Sequence, residues 1–195
     1  LETKTTMKVG FVHIPKSAGA SINRWAWENH ANVFVEIGHN SLAEYHKLHY
    51  DTTFAVPRNT YRRILSLYNW AIYKTTKILK TGQVKSEEYK IARRQQKYWH
   101  KGIELYCDHI FENVVVRDHH DQLKYIKGVD LLVPYESLAE DFYKIQELFN
   151  SDMPLVYTEH SRTSNTYLSE LSTGFVNCIK RHFAEELDYF EYQPI

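Results

Sequence analysis

Lys8-Val9-Gly10-Phe11-Val12-His13-Ile14-Pro15-Lys16-Ser17-Ala18-Gly19-Ala20-Ser21-Ile22-Asn23 is the stretch on which the fold turns. Its first part, Lys8 to Ile14, is a short, mostly apolar run that stops at Pro15, as a buried strand does. From Ser17 to Asn29 the apolar positions Ile22, Trp25 and Ala26 recur at helical spacing. The order is strand, small-residue loop, helix. Such a loop presents several backbone N–H groups and the positive end of a helix dipole, which together attract an anion. Gly19, with the small residues Ala18 and Ala20, lets a phosphate or sulfate approach the backbone closely. Ser17 and Ser21 add hydroxyl donors, and Lys16 brings positive charge.

The same alternation continues outward. Asn32 to Ile37 and Thr53 to Val56 read as two further buried strands, each followed by a polar or proline-containing turn, with a helix expected between them over Ser41–His49. Between Thr60 and Lys80 the residues Ile64, Leu65, Leu67, Tyr68, Ala71 and Ile72 recur at three and four, which predicts one long amphipathic helix capped by Asn59 or Thr60. Residues 86–106 predict another helix or a pair, Val114–Val116 a short strand, and Asp130–Pro134 a firmer one. Glu136–Phe149 and Tyr167–Phe190 close the chain as helices. Strands alternating with helices predict an α/β fold, P-loop-like and three-layered, with a mostly parallel central sheet flanked by helices. Ligands bind such sheets at the carboxyl ends of the strands, where the loops after Ile14, Ile37 and Val56 should lie.

Composition bounds the function classes. The 195 residues, 43% hydrophobic and 25% charged, suit one globular domain over 1–195 without internal repeats or linkers. With 24 Lys plus Arg against 24 Asp plus Glu, no general nucleic-acid or membrane-surface role is expected. Cys107 and Cys178 lie far apart without metal-ligand spacing and read as free thiols, so no metal site is expected. Apolar runs are too short to span a bilayer, and the polar start is not that of a signal peptide. A cytoplasmic protein is expected, the alternative being a Golgi-lumen catalytic domain trimmed of its anchor.

The first loop lacks the Walker A spacing, since Lys16 precedes Gly19, and this disfavours an ordinary ATP or GTP phosphotransferase. Phe11 to Ser21 instead resembles the 5′-phosphosulfate loop of sulfotransferases that use 3′-phosphoadenosine 5′-phosphosulfate (PAPS), closest to their carbohydrate, heparan sulfate 2-O-sulfotransferase-like branch. Ala20 stands where that branch usually has threonine. A second element, Ala55 to Tyr68, resembles the family's 3′-phosphate element, in which an arginine at a strand end and a serine eight residues later bind the phosphate. Arg58 and Ser66 occupy those positions, with Pro57 and Thr60 departing from the usual residues. The chemistry agrees: a guanidinium fork suits a phosphate, and Ser66, two helical turns on, adds a hydroxyl. Arg63 holds an internal arginine position and is read as structural.

His160 to Leu171 resembles the loop that closes over the nucleotide, which makes Arg162, Thr163, Ser164 and Thr166 candidate donor ligands; the same residues also suit a polar loop capping the next helix. Tyr135-Glu136-Ser137-Leu138 and Leu187 to Tyr192 match the family as scaffold. The resemblance implies PAPS as co-substrate, PAP as product, and no metal. Sulfuryl transfer needs a base for the acceptor hydroxyl and positive charge at the leaving diphosphate. Lys16 suits the charge. His39, in Gly38-His39-Asn40 and 19 residues before Arg58, resembles the catalytic histidine of the 2-O branch. Glu36, Glu28, His46 and His49 are rival bases, and His13 reads as a core histidine.

The acceptor is expected to be a carbohydrate or another hydroxyl compound. It is expected to be anionic if the segment Lys74–Lys101 serves it, because nine basic residues there face only Glu87 and Glu88 and are interleaved with Tyr73, Tyr89, Tyr98 and Trp99. Two other classes stay open. One is a P-loop kinase-like phosphotransferase, which would need a Mg²⁺-holding aspartate at a strand end, whereas Asp130 opens its strand. The other is a non-catalytic module that binds polyanions through the basic segment. Oligomeric state is not legible in the sequence.

Overall fold

The computed structural model describes residues 7–44, 49–99, 101–113, 116–117, 120–157 and 171–193. Residue contacts divide the chain into two compact units. The first comprises Leu1–Asn59 and Asp121–Thr158, and the second Thr60–His120 and Glu159–Ile195.

The first unit is α/β. Strands β1 (Val9–Val12), β2 (Phe34–Gly38), β3 (Thr52–Ala55) and β4 (Leu131–Leu132) form one sheet in the order β2-β1-β3-β4. Every pairing is parallel, Val9 standing beside Phe34 on one side and Thr52 on the other. Helix α1 (Gly19–His30) links β1 to β2, as the apolar spacing predicts. One face of the sheet, through Val9, Phe11, Phe34 and Phe54, packs with Ile22, Trp25 and Ala26 of α1. Leu138, Phe142 and Ile145, from a helix over Leu138–Leu148, complete the same core. The rings interlock edge to face, with Trp25 at 5.0 Å from Phe142 and 5.2 Å from Phe149. Asp130, just before β4, accepts from the Thr53 amide and hydroxyl, both at 2.8 Å, and so ties the short edge strand to β3.

The second unit is helical. Helices α2 (Thr60–Lys80), α3 (Glu87–Trp99) and α4 (Ile103–Phe111) belong to it. In chain order a short α5 (Gln122–Ile126) and α6 (Leu138–Leu148) then belong to the first unit, and α7 (Thr173–His182) and α8 (Ala184–Phe190) return to the second. The boundaries of α2 are those expected from its apolar stripe. Its core gathers Tyr61, Ile64, Leu67, Tyr106, Phe111, Phe175 and Ile179, with both free cysteines, Cys107 and Cys178, buried among them. Two fully buried charges are held as a pair: Arg63 lies 3.4 Å from Glu186, which also accepts from the Thr60 hydroxyl.

Three sequence expectations are corrected. Val116 is helical, because the Asn113 side chain accepts its amide in a local cap that outcompetes β-propensity; Val114 and Val115 lie outside the described residues. The helix expected over Ser41–His49 is, within residues 41–44, a turn in which Glu44 accepts from the Ser41 amide and hydroxyl, both at 2.9 Å. His49 is not helical, and 45–48, with His46, lie outside the described residues. Of the helix expected over Tyr167–Phe190, residues 167–170 lie outside the described residues, Leu171 and Ser172 are not helical, and from Thr173, where Ser172 accepts the Phe175 amide, the chain is helical but breaks at Phe183 into α7 and α8.

Candidate anion-binding site

The strand order places the site. The chain leaves β1 for β2 on one side and then crosses to β3 on the other, so β1 is a switch point at which the carboxyl-end loops part and open a crevice. Three loops meet this edge: 13–18 after β1, 38–40 after β2 and 56–59 after β3.

In the first loop Lys16 and Ala18 both take positive φ, 70° and 58°. Left-handed backbone at non-glycine residues is costly and clusters at binding sites, where it turns successive N–H groups to one side. Ala18 precedes α1 without any side-chain cap, and the first turn of α1 carries no acidic residue. Ser17 and Ser21 are buried, Ala18 is half-buried and Ala20 is exposed. The Ser17 hydroxyl is buried with no hydrogen-bond partner among the described residues. A buried orphan hydroxyl marks a place for a missing acceptor or donor. Gly19 has a different use from the expected one: a Cβ there would stand 1.7 Å from His13 Nε2, so the glycine makes room for the His13 ring.

Arg58, from the loop after β3, reaches this loop directly. Its Nη1 donates to the Lys16 carbonyl at 2.8 Å, and its guanidinium lies 4.2 Å from the centre of the Tyr135 ring. Two cations are thus held together in a half-buried place. Burial and then the Arg58 charge lower the pKa of Lys16. Gln122, fully buried on α5, was not singled out by the sequence. Its Oε1 accepts the Arg58 amide and its Nε2 donates to the Arg58 carbonyl, both at 2.8 Å, so that one carboxamide imitates a strand partner. Glu136 accepts the next amide, that of Asn59, at 3.0 Å, which gives the Tyr135-Glu136 pair its scaffolding use.

At the β2 end, Gly38 turns the chain with φ 67° and presents His39, which is exposed. A bulge between Phe11 and Val12 pairs Val12 with Gly38 while Phe11 stays opposite Glu36, which shifts the end of β2 relative to β1. Glu36 accepts from Asn23 of α1 and stands 3.7 Å from His13 Nδ1. Among the rival bases, Glu28 lies towards the far end of α1 and pairs with Arg24 at 2.8 Å. His49 pairs with Asp51 just before β3, at the opposite edge of the sheet.

Lys16 to Ser21, Arg58 and His39 therefore share one edge of one sheet. Ser66 sits half-buried on α2 in the second unit. Arg162, Thr163, Ser164 and Thr166 lie outside the described residues. Asp130, the aspartate a kinase reading would enlist, is engaged with Thr53 at the amino end of β4. Comparison with protein-family models, with curated proteins and with solved structures finds no match. Among the described residues no helix is long and apolar enough to cross a membrane.

Proposed function

We propose that the chain is a PAPS-dependent sulfotransferase that acts on a hydroxyl acceptor, with a carbohydrate as the favoured class. One observation carries the reading: Lys16 and Arg58, from the loops after β1 and β3, meet at the switch point of a parallel sheet, beside a strained small-residue loop and an uncapped helix. Two cations placed side by side favour the binding of a multiply charged anion. The orphan Ser17 hydroxyl fits the same group.

PAPS, when bound, supplies an activated sulfuryl group on a phosphate leaving group. Residues 16–21 would hold its 5′ end and Arg58 its 3′-phosphate; Ser66, Arg162, Thr163, Ser164 and Thr166 are further donor ligands on the resemblance alone. Lys16 stabilises negative charge that develops at the leaving oxygen, a role suited to an ammonium held against a second cation. His39, exposed at the neighbouring loop, takes the acceptor's proton.

The test is transfer of labelled sulfate from PAPS to a panel of saccharides. Lys16→Ala and His39→Ala should each lower kcat by about a hundredfold or more, the usual scale for such groups. Transfer by Lys16→Ala at the wild-type rate would overturn the reading. A second reading, a polyanion-binding module, draws on the segment 74–101, whose nine basic residues are all exposed. There, Lys16→Ala leaves polyanion affinity unchanged and charge reversal at Arg93 and Arg94 abolishes it.

A further inference from the structure

His13 is the group that the proposed chemistry leaves unused and the packing singles out. It follows the last residue of β1, its amide donates to the Gly38 carbonyl at 3.1 Å, and its ring stacks on Phe11 at 5.5 Å with 17° between planes. The opposite constraint comes from α1, where Gly19 alone leaves space for the ring. Its Nδ1 faces Glu36, which Asn23 of α1 holds by a hydrogen bond. The Asn23 Oδ1 is buried with no partner among the described residues. The His39 ring meets the His13 ring nearly edge-on, with centroids 4.4 Å apart and 75° between planes. Phe11 and Gly19 thus fix His13 from β1 and α1, and His13 in turn abuts the side chain read as the base.

We infer that His13 is a positioning residue, whose ring sets the orientation of His39 and ties it to the anion-binding loop. The inference rests on the proposed role of His39. An edge-to-face ring pair at this separation is a specific contact and not just buried area. Among the described residues, the charged and titratable groups facing His13 are Lys16 on its own loop, His39 and Glu36. Burial, then His39 and Lys16, lower its pKa to about 4, so it stays uncharged near neutrality. His13 thus presents an uncharged ring to His39.

The experiment compares His13→Ala and His13→Phe. Phenylalanine keeps an aromatic face on Phe11 and the fit against Gly19; alanine removes both. With histidine ring nitrogens labelled, NMR follows His39 through a pH titration in each folded variant. His39 should change its titration midpoint and tautomer balance in His13→Ala, and stay closer to wild type in His13→Phe. In turnover, His13→Ala should lose about ten- to a hundredfold in kcat, the cost of a misplaced catalytic group, with KM for PAPS within about twofold. His13→Phe should recover most of that loss.

An unchanged His39 titration in folded His13→Ala overturns the inference, as does a His13→Phe variant as impaired as His13→Ala. Binding of PAP to wild-type protein is measured alongside. If PAP does not bind, the sulfotransferase reading fails, while the NMR comparison still decides whether His13 positions His39.

Discussion

Arg58 and Arg63 stand five residues apart in the sequence and serve opposite ends. Arg63, fully buried in the second unit, faces the carboxylate of Glu186, and its Nη2 also donates to the His120 carbonyl. Arg58, in the first unit, is held by a carbonyl, an aromatic face and a carboxamide clamp on its backbone, and the charge it imposes on its surroundings falls on another cation, Lys16. A cation matched by a carboxylate is spent on the fold. One held beside a like charge raises the local positive potential, which an added anion would lower.

The largest effect expected is at the matched pair. Arg63→Leu leaves Glu186 buried without its cation and should destabilise the protein by about 3–5 kcal/mol in urea unfolding. A cost under about 1 kcal/mol would show that the pair is not structural. Next comes acid sensitivity in the first unit. His13 has its pKa lowered from 6.5 to about 4 by folding, so between those values the unfolded chain binds the extra proton. Stability should therefore fall as pH drops through that window, by up to roughly 3 kcal/mol, and His13→Phe should flatten that part of the profile. A wild-type profile level from pH 6.5 to 4 would contradict this.

Gln122→Ala orphans the buried amide and carbonyl of Arg58 and should cost about 2 kcal/mol, with anion affinity falling as well because the guanidinium loses its anchored backbone. If only stability changes, Gln122 supports the fold without aiming Arg58. The smallest stability change belongs to Arg58→Leu. It loses the hydrogen bond to the Lys16 carbonyl and the contact with the Tyr135 ring but relieves Lys16, for a net cost on the order of 1 kcal/mol. Its effect should appear in binding. An Arg58 variant less stable than its Arg63 counterpart would break the contrast between the two.

Much of this is legible in the amino-acid sequence. The loop from Pro15 to Ser21 announced itself by a proline after an apolar run and a cluster of small residues, and α2 by an uninterrupted apolar stripe. Arg58 was visible as a charge at a strand end. Gln122 was not, because a carboxamide that binds backbone 64 residues away leaves no local pattern. Nor was the reason for Gly19: small residues in an anion loop suggest ligand approach, whereas here the missing Cβ accommodates His13. The start of α7 at Thr173 turns on Ser172, a capping hydroxyl that apolar periodicity does not register. At Ser41–Glu44 the Glu44 carboxylate folds back onto the Ser41 amide and hydroxyl, a local turn that helix propensity does not register.

The central claim is that Lys16 and Arg58 form a two-phosphate clamp, and calorimetry with PAP and with 5′-AMP, which differs only by lacking the 3′-phosphate, tests it most directly. Wild-type protein should bind one PAP at least about tenfold more tightly than 5′-AMP, the scale of one charge-assisted arginine contact. Arg58→Leu should erase that preference while remaining folded. Equal affinity for the two nucleotides, or no binding of PAP, would contradict the account.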